Sequence, residues 1–181
     1  MKIRNTTEAD EPAIRRVHQA AFGAQEGNVV ADLASALLHD PTASPFISLL
    51  AFEEEEPIGH VLFTRGQIAG EGRSMSVQLL APLAVVPERQ GQGAGTQLVR
   101  SGLKLLTGSG CDLVFVLGHP EYYPRFGFRP AEQHGFLAPY PIPEKVADAW
   151  MVLELRPGIL GSLTGSVRCA DVLNKPEYWR E

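Results

Sequence analysis

The chain has 181 residues, of which 44% are hydrophobic and 20% charged, and a formal net charge of −5. That length and balance fit one folded domain with a continuous core and exclude a disordered or fibrous chain. The acidic balance argues against a general nucleic-acid or anionic-membrane binder, because such proteins gather Lys and Arg to displace counterions from phosphate.

Lys2 to Arg4 reads as a short opening strand, and Thr7 with Asp10 three residues on reads as a helix N-cap with a carboxylate in the first turn. The opening residues turn acidic where a secretory signal needs an apolar core, and no apolar run reaches membrane-span length, so a cytoplasmic, reducing location is expected. A first helix starts near Glu8, buries Ile14, Val17 and Ala21, and ends at Phe22-Gly23. A second helix is expected over Asn28 to Leu38, with Val30, Leu33, Ala34 and Leu37 as its apolar stripe. The period then changes. Phe46 to Phe52 and Ile58 to Thr64 are β-prone runs joined by the acidic turn Glu53 to Pro57, which reads as a hairpin with a solvated, like-charged tip.

After a Gly-rich loop around Gly70 and Gly72, Ser76 to Val86 forms a longer strand with Pro82 in its middle. Proline has no amide proton for the ladder, so an edge or bulge, and with it an opening in the sheet, is expected there. Thr96 to Thr107 follows as an amphipathic helix, then Leu113 to Leu117 as an apolar strand, a short helix at Glu121 to Arg125, and strands near Phe128 and over Trp150 to Leu155. The two cysteines, Cys111 and Cys169, lie far apart with no His or Cys at metal-ligand spacing, so each reads as a small buried hydrophobe and no metal site is expected.

The sharpest chemical signal is Gln90-Gly91-Gln92-Gly93-Ala94-Gly95-Thr96, set between an apolar strand and an amphipathic helix. Glycines there let several backbone amides point into one concavity, and the helix adds unsatisfied N–H groups and a positive dipole end, which together make an anion site. Thr96 stands where the dinucleotide fingerprint needs its third glycine, and no Lys-Ser or Lys-Thr ends the segment as a P-loop requires. A pyrophosphate ligand of another kind is favoured.

Gln90-x-x-Gly93-x-Gly95 resembles the glutamine-or-arginine, x-x-Gly-x-Gly-or-Ala signature of the GNAT acyltransferases, and its setting after Leu83 to Pro87 and before Thr96 to Val99 resembles their pyrophosphate arm. The resemblance implies a mixed α/β fold with a splayed, largely antiparallel sheet flanked by helices. It implies acetyl-CoA as co-substrate, with amides from Gln90 to Thr96 on the pyrophosphate and the backbone of Leu83, Ala84 and Val85 pairing with pantetheine like an added strand. The amide near Val85 becomes a candidate oxyanion donor. Tyr122-Tyr123-Pro124-Arg125-Phe126-Gly127-Phe128 resembles the family's aromatic-Tyr-x-x-x-Gly-Phe element and puts Tyr123 in the place of the catalytic tyrosine, with Tyr122 as a structural neighbour. A phenol suits that place because it is neutral at pH 7 and can donate to a sulfur gaining charge. With Val116 to Pro120 ahead of this element and Glu154 to Gly158 behind it, the chain resembles the YhbS-like branch of predicted acetyltransferases over nearly its whole length. Its core is expected over about 1–156, with 157–181 as a C-terminal extension of one domain.

An amine acceptor must lose a proton before it attacks a thioester. Glu26, expected in a loop between the first two helices, is the first candidate base, His60 the second, and His119 a candidate wall residue. The acceptor is expected to be a small-molecule or peptide amine, with no nucleic-acid or membrane partner, and a homodimer is left open. The alternative from another class is a non-catalytic module that binds acyl-CoA to sense or present it.

Overall fold

The computed structural model describes residues 1–70 and 74–180; Gly72 of the Gly-rich loop lies outside the described residues. Strand β1 (Lys2–Asn5) leads into a cap in which the Thr7 amide donates to Asp10 at 2.7 Å, while Arg4 grips the same carboxylate with two nitrogens at 2.7 and 2.9 Å. The Arg4 guanidinium holds the Asp10 carboxyl well below the usual carboxylate range.

The next segment bears out two helical limbs that break at Gly23 but corrects the loop expected between them. Helix α1 runs over Glu11–Leu38, interrupted only at Gly23, whose φ of 73° and ψ of −169° reverse the chain within one residue. A side chain resists that conformation and glycine does not, so no linker is needed. The two limbs lie against each other: Arg15 donates to Asp32, Gln19 to Asn28, and Ser35 to Glu11. A Cβ on Gly27 would come within 2.5 Å of the Gln19 carbonyl oxygen, which shows how closely the limbs approach. Ile14, Val17, Ala34 and Leu37, all from the expected stripes, are buried.

Strands β2 (Ile47–Glu53) and β3 (Glu56–Ile68) form the expected hairpin about Glu54, which takes φ of 53°. Strand β4 (Val77–Val85) pairs antiparallel with β3, and the register slips between Val61 and Phe63, where Leu62 faces the extra length containing Ala81 and Pro82. This is the bulge expected of Pro82. Helix α2 (Ala94–Gly108) follows, then β5 (Leu113–Leu117), β6 (Arg129–Pro130), β7 (Phe136–Leu137), β8 (Trp150–Glu154) and β9 (Gly165–Arg168). The sheet order is β1-β2-β3-β4-β5-β8-β6. Neighbours in it are antiparallel except β4 and β5, which run parallel and pair only over Val77–Leu113, Gln78–Val114 and Leu79–Phe115. Beyond Leu79 the two strands part, and the splay lies there. Helix α2 covers one face, close enough that a Cβ on Gly102 would lie 2.1 Å from the Phe63 ring. Helix α1 covers the other face through Ile14, Val17 and Ala34 against Leu50 and Ala84.

The segment after residue 156 is built into that second face. Glu154 accepts from the Ile159 and Leu160 amides at 2.8 and 2.7 Å and turns the chain outward, β9 pairs with β3 through Gln67–Arg168 and Ile68–Val167, and β7 pairs with β9. Trp179 packs edge-on to Trp150 with ring centroids 5.6 Å apart.

Candidate active site

A cleft of about 830 Å³ opens where β4 and β5 part, lined on one side by the Gln90–Thr96 loop and on the other by the Gly118–Tyr123 segment and the bend of α1. Helix α2 begins at the loop. Gly93 takes φ of 89° as its N-cap, and the first backbone bond of the helix runs from the Gln97 amide to the Gly93 carbonyl at 3.0 Å. The amides of Ala94, Gly95 and Thr96 precede it and have no acceptor within the helix by the geometry of a helix start. They carry the positive end of the α2 dipole to the cleft. A Cβ on Gly91 or Gly93 would meet nothing within 4 Å, so glycine is required there for its positive φ rather than for space. Gln90 braces the loop by donating from Nε2 to the Val85 carbonyl at 2.9 Å.

Strand β4 supplies the facing edge. The Val86 amide donates to the Ile58 carbonyl at 2.9 Å, and the register pairs Val85 with Gly59, Ala84 with His60 and Leu83 with Val61. Hydrogen-bonded pairs alternate in an antiparallel ladder, so Ala84 turns its peptide groups to β3 while Leu83 and Val85 turn theirs toward the splay. Leu83, Val85, Gln90, Gly91, Gly93, Ala94, Gly95 and Thr96 all line the cleft. Two expected cofactor contacts do not: Ala84 buries its side chain against α1, and Gln92 turns away to donate to the Glu88 carbonyl at 2.9 Å.

The Tyr123 ring stands at the splayed end of β5. A short 3-10 turn over Tyr123–Phe126, closed by Gly127, replaces the expected helix and buries Tyr123. Its ring meets Tyr122 and Phe128 edge-to-face at 5.1 and 5.7 Å. Tyr122 joins the two motif segments: its hydroxyl lies 2.9 Å from where a Cβ on Gly95 would sit, and Arg125 stacks on its ring at 4.3 Å.

Glu26 also lines the cleft, but on the first turn of the second limb of α1 rather than in a loop, and it is exposed. His119 lines the cleft as a wall residue. His60 is removed from it. Fully buried, it bonds His18 through Nδ1 at 2.8 Å and Ser48 through Nε2 at 2.9 Å. Burial holds the His60 pKa well below its ordinary value and pushes that of His18 down to about 4, so both rings are neutral. Burial also pushes the Cys111 and Cys169 thiols up to about 11. Residues in the cleft that the sequence did not point to include Phe22, Leu33, Arg89, Leu117, Arg125 and Tyr178. Arg89 adjoins the glycine motif and was within reach of it; Tyr178 reaches the cleft only through packing of the distant tail.

A family model described as "Acetyltransferase (GNAT) domain" matches residues 2–131. The chain belongs to the GNAT acetyltransferase family. It is 48% identical over 167 residues to the uncharacterized N-acetyltransferase YjhQ of Escherichia coli K12, covering 92% of this chain and 90% of that one. Identity to the uncharacterized N-acetyltransferase YhbS of the same strain is 32% over 178 residues, covering 97% and 99%. The crystal structure of E. coli YhbS in complex with CoA superposes with a TM-score of 0.84 at 31% identity, over 96% of this chain and 92% of that one. A GNAT acetyltransferase from Brucella melitensis in complex with acetyl-CoA gives 0.74 at 29% identity, over 95% and 97%. The splayed, mostly antiparallel sheet with helices on both faces is the GNAT fold.

Proposed function

We propose that this GNAT acetyltransferase moves an acetyl group from acetyl-CoA directly to a small-molecule or peptide amine within a ternary complex. The observation that carries the reading is the convergence, in one cleft, of the free amides at the start of α2, the splay-facing peptides of Leu83 and Val85, and Tyr123. These groups fit the cofactor found in the YhbS and Brucella structures. Amides of Ala94 to Thr96 suit a pyrophosphate, and the splay-facing Leu83 peptide and Val85 amide suit a pantetheine chain, the Val85 carbonyl being taken by Gln90. Acetyl-CoA supplies the activated acyl group. Leu83 and Val85 orient it, the Val85 amide is the donor for negative charge developing on the carbonyl oxygen, and Glu26 takes the proton of the acceptor amine.

Tyr123 serves the departing sulfur. A phenol titrates near 10 and a thiol near 8.5, so full proton transfer to the thiolate costs about 2 kcal/mol at reference values, and hydrogen-bond donation suffices. The segment 157–181 belongs to the same functional unit, since its Tyr178 lines the cleft. Two cysteines without a disulfide accord with a reducing, cytoplasmic setting. The test is Tyr123→Phe: thiol release from saturating acetyl-CoA with a good amine acceptor should slow by about 10²-fold with CoA affinity kept, and Tyr122→Phe should do much less. Equal rates for wild type and Tyr123→Phe would remove the hydroxyl from the chemistry and point to another acid, whereas binding without turnover on any amine would favour a module that only binds acyl-CoA.

A further inference from the structure

At the end of the cleft away from the glycine loop, a side pocket of about 160 Å³ lies in the splay. Leu33, Leu117 and Tyr178 line both spaces, so the two adjoin. Phe115, Trp150 and Trp179 back the side pocket, the first two fully buried, and Leu33, Leu117 and Tyr178 also line it. The indole N–H groups are spent elsewhere: the Trp150 indole donates to the Phe136 carbonyl at 3.0 Å, and the Trp179 indole to the Leu173 carbonyl at 2.9 Å. The pocket surface is therefore mostly apolar, with Arg180 among its polar lining.

The charges around it point the same way. Among the described residues no carboxylate lines the side pocket, Glu26 is the one carboxylate on the main cleft, and the exposed Arg180 borders the side pocket. A polycationic acceptor would find one carboxylate for several ammonium groups and a guanidinium where its body must lie. An apolar group would find rings. An apolar cavity of about 150 Å³ takes a benzene ring.

On the acetyl-transfer reading above, we infer that the acceptor is a monoamine with an aryl or branched-alkyl substituent, and that this substituent fills the pocket closed by Tyr178 and Trp179. The attacking nitrogen stays in the main cleft, within the space shared with Glu26 and Tyr123. The C-terminal segment thereby sets acceptor choice.

Both tryptophans of the chain back this pocket, so intrinsic fluorescence reports its filling without any turnover. The experiment titrates 2-phenylethylamine, isoamylamine, methylamine and spermidine into the CoA-bound protein while following tryptophan emission, and measures the specificity constant kcat/KM for each amine with acetyl-CoA. Saturable emission changes are expected for 2-phenylethylamine and isoamylamine but not for methylamine or spermidine. The specificity constant for phenylethylamine should exceed that for methylamine by about 10²-fold or more, since each well-packed methylene is worth about tenfold or more. In Tyr178→Ala that ratio should fall at least about tenfold. Turnover with no dependence on the substituent, or a preference for spermidine, would overturn the inference and leave acetyl transfer intact. A saturable emission change with no turnover on any amine would uphold the pocket and sink the transfer reading.

Discussion

Gly118 lies directly behind the Tyr123 ring, and replacing it with alanine tests whether the placement of that ring matters. A Cβ at position 118 would sit 2.4 Å from Cε2 and 3.0 Å from Cδ2 of Tyr123. Carbon atoms rest at about 3.5–4.0 Å, so the ring must retreat by about 1 Å. The backbone cannot yield instead, because the Gly118 amide is tied to the Ala149 carbonyl at 2.9 Å. Tyr122 and Phe128 hold the ring on its other sides, so it tilts and carries its hydroxyl with it. Overpacking of this kind costs about 1–3 kcal/mol of stability, and a 1 Å displacement of a reacting group costs on the order of 10²-fold in rate. Gly118→Ala is therefore expected to slow thiol release by about 10²-fold while CoA still raises Tm as in wild type. The same substitution in a Tyr123→Phe background should cost little more, because the hydroxyl it misplaces is already gone. Equal fold-losses in the two backgrounds would refute the reasoning.

Gly93→Glu should abolish the rise in Tm given by CoA in a chain that still folds, since it puts a side chain at φ of 89° and a carboxylate beside the amides that face the pyrophosphate; undiminished stabilisation would take the loop out of the site. Glu26→Gln should lower the rate at neutral pH and lose less at high pH, where the amine deprotonates unaided, and an unaltered pH–rate profile would leave Glu26 a surface carboxylate. Acid should weaken the fold before the carboxylates titrate. His18, with a pKa of about 4 when folded and 6.5 when unfolded, takes up a proton more readily in the unfolded chain, so its contribution is full above pH 6.5 and is lost as pH falls toward 4. The gap is worth about 3 kcal/mol, and His60 adds to it in the same direction. Urea unfolding at pH 7.5 and pH 5 measures this, and equal stabilities would contradict it.

The cofactor side of the site is legible because its signals are local. Gly93, Gln90 and the strand before them sit within a few residues of one another, and Pro82 announces the bulge by a missing donor. Leu113–Leu117 reads correctly because an unbroken apolar run between breakers has few other readings. Gly23 misleads. Phe22-Gly23 looks like a helix end followed by a loop, and only the antiparallel contacts between limbs, such as Arg15 with Asp32, show that the chain reverses at once. His60 looks available because a strand sequence does not show that His18, 42 residues away, closes over it. The tail is illegible for the same reason: β9 is four residues long, and the partner that makes it a strand lies about a hundred positions earlier.

The pairing of β9 with β3 fixes the C-terminal segment on the sheet, and the two parts of the cleft come from different stretches of the chain. The residues proposed to hold the cofactor are encoded between Leu83 and Tyr123, whereas the side pocket draws on Leu33 of α1, Trp150 of β8 and the Tyr178-Trp179 pair. If the side pocket takes the acceptor as inferred, changes in the last two dozen residues alter which amines fit while leaving the glycine loop and the β4 edge untouched.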